Sequence, residues 1–255
     1  MNLKFLRFKP RRKKSSLSWR EIVPNMITSG NILSGMASLI FSFHGLFYEA
    51  GWAIFAALIF DLLDGIVARW LGGGTQFGIE FDSIADVVSF GAAPAILFYS
   101  AYMQDLKITG AIVACLFSLC GGLRLARFNV VHTAGSFQGI PIPAAGLFLS
   151  SFVIARIELN SIFATLLAFF MAILMVSNIP YGNLKTLKKG YVNKVKFILL
   201  FAFIFLVAFS AKIFAPVILM GIYVASGFLR FDWGKWLSLP AVELFFENKF
   251  HLLPK

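Results

Sequence analysis

Residues 48–86 read YEAGWAIFAALIFDLLDGIVARWLGGGTQFGIEFDSIAD, an apolar run, a Leu-Gly-Gly-Gly turn at 71–74 and the opening of a second apolar run. A helix rises about 1.5 Å per residue, so about twenty residues span a hydrocarbon core of about 30 Å. Both runs are long enough to cross a bilayer. Four aspartates, Asp61, Asp64, Asp82 and Asp86, lie inside or at the edge of them, whereas the rest of the chain has only Asp105 and Asp232. An ionised Asp at the centre of a membrane helix costs about 2.5–3.5 kcal/mol on insertion scales, so such residues face a cavity, a partner or an ion.

Helical spacing sorts these carboxylates. Asp61, Asp64, Gly65 and Ala68 return to one face at offsets of three, four and seven, and Gly78, Asp82 and Asp86 share a face at spacings of four. The short turn predicts that the two helices are antiparallel neighbours with their carboxylates at one depth. Oxygen ligands without His or Cys favour hard cations, Mg²⁺ or Mn²⁺. A pair of such ions suits phosphate chemistry, where it clamps a pyrophosphate and an attacking oxygen. Gly65, Ala68 and Gly78 let a base or sugar approach the backbone, and Arg69, one turn on, can pair with phosphate.

Reading outward, the chain of 255 residues is 59% hydrophobic, with 30 Phe and a mean hydropathy of +0.82, which no ordinary soluble domain shares. Hydrophobic runs place about eight spans near 25–44, 48–70, 78–103, 108–128, 141–157, 161–180, 195–211 and 213–229. The fold class expected is an all-α, polytopic membrane helical bundle. The first run is followed by many others and lacks a convincing small-residue cleavage site, so it is expected to be retained. Three segments divide the chain: a basic amphipathic lead over 1–23, a transmembrane catalytic domain over 24–230, and an interfacial tail over 231–255 carrying Trp233, Trp236, Phe245 and Phe246.

Net charge is +11, concentrated in Lys4 to Arg20 and Lys185 to Lys196. These segments flank apolar runs and form no nucleic-acid-binding face, so anionic lipid is the expected partner. Arg69, Arg124, Arg127 and the Lys-rich connection fall on the side of the basic N-terminus, which the positive-inside rule makes cytoplasmic. The opposite connections carry only Lys107, Arg156 and Lys212 singly. Cys115 and Cys120 are five apart on different helix faces and read as packed thiols. His44, His132 and His251 are scattered and enter no site.

Written out, the motif is Asp61-x2-Asp64-Gly65-x2-Ala68-Arg69-x8-Gly78-x3-Asp82-x3-Asp86, and it resembles the signature of the CDP-alcohol phosphatidyltransferase family at all eight fixed positions. A chance match is on the order of one in ten million at ordinary residue frequencies, which disfavours a mere set of buried polar ties. Further stretches resemble the membrane-embedded phosphatidylserine synthases: Pro24-Asn25-Met26-Ile27-Thr28, Ser89-Phe90-Gly91-Ala92-Ala93-Pro94-Ala95, Arg124-Leu125-Ala126-Arg127-Phe128-Asn129, Gly139-Ile140-Pro141-Ile142-Pro143-Ala144-Ala145 and Ser177-Asn178-Ile179-Pro180-Tyr181.

The resemblance implies a six-helix catalytic core, CDP-diacylglycerol as donor and L-serine as acceptor, with phosphatidylserine and CMP as products. Asp61, Asp64, Asp82 and Asp86 would hold metal, two ions per site, and Asp86 would also serve as general base. Gly65, Ala68, Arg69 and Gly78 would bind nucleotide and phosphate, joined by Asn25 and Thr28. Arg124 and Arg127, three apart, are candidates for the serine carboxylate, with Asn129 and Ser89 adding hydrogen bonds. Glycerol 3-phosphate or inositol phosphate as acceptor stays open, since either would also call for arginines. A divalent-cation transporter is a distant alternative, opposed by carboxylates placed near helix ends. The resemblance also implies a homodimer, for which Ser34, Gly35 and Ser38 offer small residues. A prokaryotic inner membrane is expected, with both termini and the active site cytoplasmic.

Overall fold

Helix α1, Trp19–Phe43, is apolar on the outside and polar within. Thr28, Asn31, Gly35, Ser38 and Ser42 recur at alternating spacings of three and four, and all are buried. Met26, Leu33, Met36, Ile40 and Phe43 on the other faces are exposed, as a helix facing lipid requires. The computed structural model describes residues 19–130, 137–181 and 193–237. Most of the N-terminal lead, the Lys-rich stretch before Asn193, and the tail beyond Leu237 lie outside the described residues, as do His132 and His251.

After α1 come α2 (Phe47–Trp70) and α3 (Gln76–Asp86). The chain continues through a wide π turn at Val87–Ala92, α4 (Ala93–Phe98), a second π segment at Tyr99–Met103 and a 3₁₀ turn, then reverses at Lys107 into α5 (Lys107–Val130). Next are α6 (Ile142–Ile154), α7 (Ser161–Val176), α8 (Lys194–Ala211), α9 (Ala215–Phe228) and the short α10 (Trp233–Leu237). A two-residue antiparallel ladder joins β1 (Phe137–Gln138) to β2 (Pro180–Tyr181). The chain is an all-α membrane helical bundle. Among the described residues, four stretches are long and apolar enough to cross a membrane, Ile22–Phe43, Phe47–Trp70, Gln76–Val130 and Lys194–Phe228, and the last two double back at Lys107 and Lys212.

Each expected run overlaps helical segments of the structure, the third divided among α3, α4 and the two π segments, and two runs end early for physical reasons. The sixth ends at Val176, because Ser177 leaves helical geometry and Pro180–Tyr181 pairs with β1. The fifth ends at Ile154, short of the expected 157, in a turn where Arg156 takes a positive φ of 53°.

Packing departs from the expected α2–α3 pairing. Helix α1 packs along both, while α2 and α3 make little direct contact and face each other across a cleft. Gly35 seats α1 against the chain at Ser89, where a Cβ would overlap the serine. Gly35 and Ser38 are thus consumed inside the protomer, which removes the small-residue face proposed for a dimer.

The core gathers Phe90, Phe98, Phe117, Leu149, Ile154 and Met171, all at or near complete burial. Pro94 lacks an N–H, freeing the Phe90 carbonyl, and Gly146 lets α6 come up against that oxygen. The two ends of the bundle differ. At one, Arg127 donates to Asn178 at 3.2 Å and Asn129 to Ser83 at 3.0 Å. At the other, Ser161 donates to Asp105 at 2.7 Å and the Arg156 guanidinium lies 5.0 Å from the Tyr48 ring centroid. The motif's glycine turn belongs to the first end.

Candidate active site

Two glycines make the turn that shapes the site. Gly72 and Gly73 take positive φ of 108° and 105°, and the Gly73 N–H closes α2 on the Ala68 carbonyl at 2.9 Å. Thr75 then caps α3, accepting from the Gly78 N–H at 3.1 Å. Asp64 and Asp82 are thereby set opposite one another, each within two turns of its helix end.

Carboxylate oxygens of Asp61, Asp64 and Asp82 lie within 4.8 Å of one another. Asp64 is buried and accepts from Thr28 Oγ1 at 2.7 Å. Asp86, one turn deeper than Asp82, accepts from Asn31 Nδ2 at 3.4 Å and lies within electrostatic reach of the other three. Like charges this close in an apolar bundle need a counter-charge. Oxygens on opposite sides of one Mg²⁺ are about 4 Å apart, close to the observed spread, so the donor set and its dimensions fit a hard divalent cation. The cluster can bind a metal.

Beside it opens a cleft of about 110 Å³, lined among others by Asn25, Thr28, Gly65, Ala68, Gly78 and Asp82. At Gly78 a Cβ would come to 3.2 Å from Asn25 Oδ1, so the glycine is what lets α3 approach α1 there. Above Gly65 the nearest group is the Arg69 guanidinium, 3.6 Å from where a Cβ would stand. An arginine thus folds back over the small residues at the cleft's edge, where a phosphate can meet it.

The profile of the CDP-alcohol phosphatidyltransferase domain matches residues 21–176, which takes in every element just described. The chain belongs to the CDP-alcohol phosphatidyltransferase family. Among curated proteins it is similar to a CDP-diacylglycerol–serine O-phosphatidyltransferase of Helicobacter pylori, 37% identical over 89% of this chain and 96% of the relative. One of the same name from Methanocaldococcus jannaschii is 37% identical, covering 82% of this chain and 94% of the relative. An archaetidylserine synthase of Methanothermobacter thermautotrophicus is 40% identical, with 62% and 69% covered.

Within this phosphatidyltransferase the four acceptor candidates do not form one cluster. Arg124 is buried on α5 with Tyr223 and Asp86 as electrostatic neighbours. Arg127, three residues on, is exposed and turned to Asn178. Asn129 bonds Ser83 beside a separate groove between α3 and α5. Ser89, fully buried, donates to the Asn31 carbonyl at 2.9 Å. Its contact reaches the site only through Asn31, the residue whose amide holds Asp86.

Asn31 and Tyr223 went unrecognised in the sequence. For Asn31 the signal was present, since it continues the polar stripe of Thr28 toward Gly35 and Ser38. Tyr223 stands in an apolar run far along the chain, with no local pattern to mark it.

Proposed function

We propose that this chain transfers the phosphatidyl group of CDP-diacylglycerol to L-serine, releasing CMP and phosphatidylserine. The observation that carries the reading is the group of three carboxylates within 4.8 Å, set against a cleft floored by Gly65, Ala68 and Gly78. Relatives named for this reaction match nearly their whole length.

Cytidine and pyrophosphate would enter the cleft, where the small residues allow contact with backbone and Arg69 pairs with a phosphate at the rim. Asn25 and Thr28 border the nucleotide from α1. Asp61, Asp64, Asp82 and Asp86 would hold Mg²⁺ or Mn²⁺, two ions in this reading, which when bound supply charge neutralisation at the pyrophosphate. Asp86 takes the serine hydroxyl proton, and the serine oxygen bonds to the phosphorus that carries diacylglycerol. The bond from that phosphorus to CMP breaks, and CMP leaves with the bridging oxygen. Asn31 keeps Asp86 in place, and Ser89 keeps the Asn31 backbone in place. Arg124 is the acceptor-side cation nearest this chemistry, with Arg127 and Asn129 further out.

We place the protein as a multi-pass component of a prokaryotic inner membrane, with both termini and the active site cytoplasmic. Support comes from Arg69, Arg124 and Arg127, which collect at the carboxylate end of the bundle. Residues 24–230 would form the catalytic domain of a homodimer. The archaetidylserine synthase relative leaves both diacyl and archaeal ether lipids as donors to be compared.

The test is CMP release by detergent-purified protein given CDP-diacylglycerol and Mn²⁺ or Mg²⁺, with L-serine, glycerol 3-phosphate or inositol phosphate. Serine-dependent release that is lost in Asp86→Asn is the expected result. Release with another acceptor discards serine, and no metal-dependent release with any acceptor discards the transferase reading.

A further inference from the structure

The family profile stops at residue 176, yet the chain goes on into α8, α9 and α10. Helix α8 has no buried residue and leans on α9. Helix α9 packs on α6 and turns Val224, Ser226 and Gly227 inward.

Three contacts set the rotation of α9. Gly227 lets the Tyr181 ring lie against its backbone, where any Cβ would overlap the ring. The Tyr181 hydroxyl donates to the Val224 carbonyl at 3.3 Å, and burial pushes that phenol up to about 12, so it stays a neutral donor. Trp233 Nε1 donates to Ser226 Oγ at 2.9 Å. With α9 fixed this way, Tyr223 faces the bundle, its ring centroid 5.8 Å from that of Tyr181. Its electrostatic neighbour is Arg124, which is in turn within electrostatic reach of Asp86. Phenol, guanidinium and carboxylate therefore succeed one another from the C-terminal hairpin to the innermost aspartate.

We propose that Tyr223 is an acceptor-selecting residue, which with Arg124 binds the carboxylate of the incoming amino alcohol and so presents its hydroxyl to Asp86. This rests on the serine-transfer reading above. A guanidinium offers paired N–H donors matched to a carboxylate, and a phenol hydroxyl adds one more. A neutral alcohol offers these groups no anion for a charge-assisted bond, so binding favours the acceptor that carries the carboxylate. On this account the shared module, residues 21–176, activates the CDP-lipid, and the hairpin beyond it supplies part of acceptor choice.

The experiment is steady-state CMP release by the full chain in detergent, with Tyr223→Phe and Tyr223→Leu, varying each substrate in turn. Phe keeps the ring and its packing, so a correctly folded variant is expected, checked by an unchanged Tm. Expected is a rise of about tenfold or more in KM for L-serine, with KM for CDP-diacylglycerol within about twofold and a smaller wild-type preference for serine over serinamide. Ile222→Ala, on the exposed face of the same helix, reports a general disturbance of α9 and is expected to leave the serine KM unchanged. An unchanged serine KM in Tyr223→Phe, or equal rises for both substrates, overturns the proposal. A wild-type enzyme that ignores serine fails the transfer reading instead. In that case the effect of Tyr223→Phe on KM for the acceptor it does use decides the subsite: a selective rise supports it, and no rise ends it.

Discussion

Helices α1 and α8 are both apolar and both of membrane-spanning length, yet they are built in opposite ways. Along α1 the polar residues Thr28, Asn31, Ser38 and Ser42 are buried and the apolar ones face outward. Along α8, Phe197, Phe201, Phe203, Phe205 and Phe209 are exposed around the helix and nothing is buried. The difference follows from the neighbours. A helix that braces an active site must turn hydrogen-bonding groups inward, because water is absent to satisfy them. A helix that touches lipid on most sides has no inward face to specialise.

That contrast can be broken most severely at the carboxylates. Asp86→Asn should lower CMP release by about 10²–10⁴-fold, the range for losing a general base, while the Tm holds or rises as like charge is removed. Chelation by EDTA should abolish turnover in the unmutated protein, with recovery on adding Mg²⁺ or Mn²⁺; activity that survives EDTA would sink the metal reading. Next in size, Gly78→Leu should fill the cleft where α3 meets Asn25 and reduce kcat/KM for CDP-diacylglycerol by about 10²-fold, as misplacement of a bound substrate does.

Smaller effects sharpen the comparison through stability. Gly35→Leu forces α1 away from Ser89, and overpacking of this kind costs about 1–3 kcal/mol, read as a lower Tm in detergent. Phe205, 73% exposed on α8, should tolerate Ala within about 0.5 kcal/mol. A loss at Phe205 as large as that at Gly35 would show α8 to be covered, for instance by a second copy of the chain.

Much of this was legible in the sequence because its physical cause is local. Hydrophobic run length sets where helices lie, and spacings of three and four set which carboxylates share a face. The turn at Gly72 and Gly73 announces itself, since positive φ favours glycine. The cleft residues Asn25, Thr28, Gly65, Ala68 and Gly78 were named from spacing and resemblance, and the fold brings them to one cavity.

Other features depend on what packs against what, and no periodicity encodes that. Spacing put α2 beside α3, but α1 braces both, because its buried stripe has the hydroxyl and amide that Asp64 and Asp86 use. Arg124 and Arg127 are three apart, yet one is buried within electrostatic reach of Asp86 and the other reaches Asn178, since α5 packs along α7 and Asn178 lies just past the end of α7. The sequence by itself determined a membrane helical bundle with four aspartates on two helical stripes, because those are consequences of composition and pitch. Only the tertiary structure decided that Asn31 holds Asp86 and that Tyr223, over a hundred residues from the motif, comes within electrostatic reach of Arg124. Those neighbours are chosen by close approach at Gly35 and Gly227, which sequence spacing cannot convey.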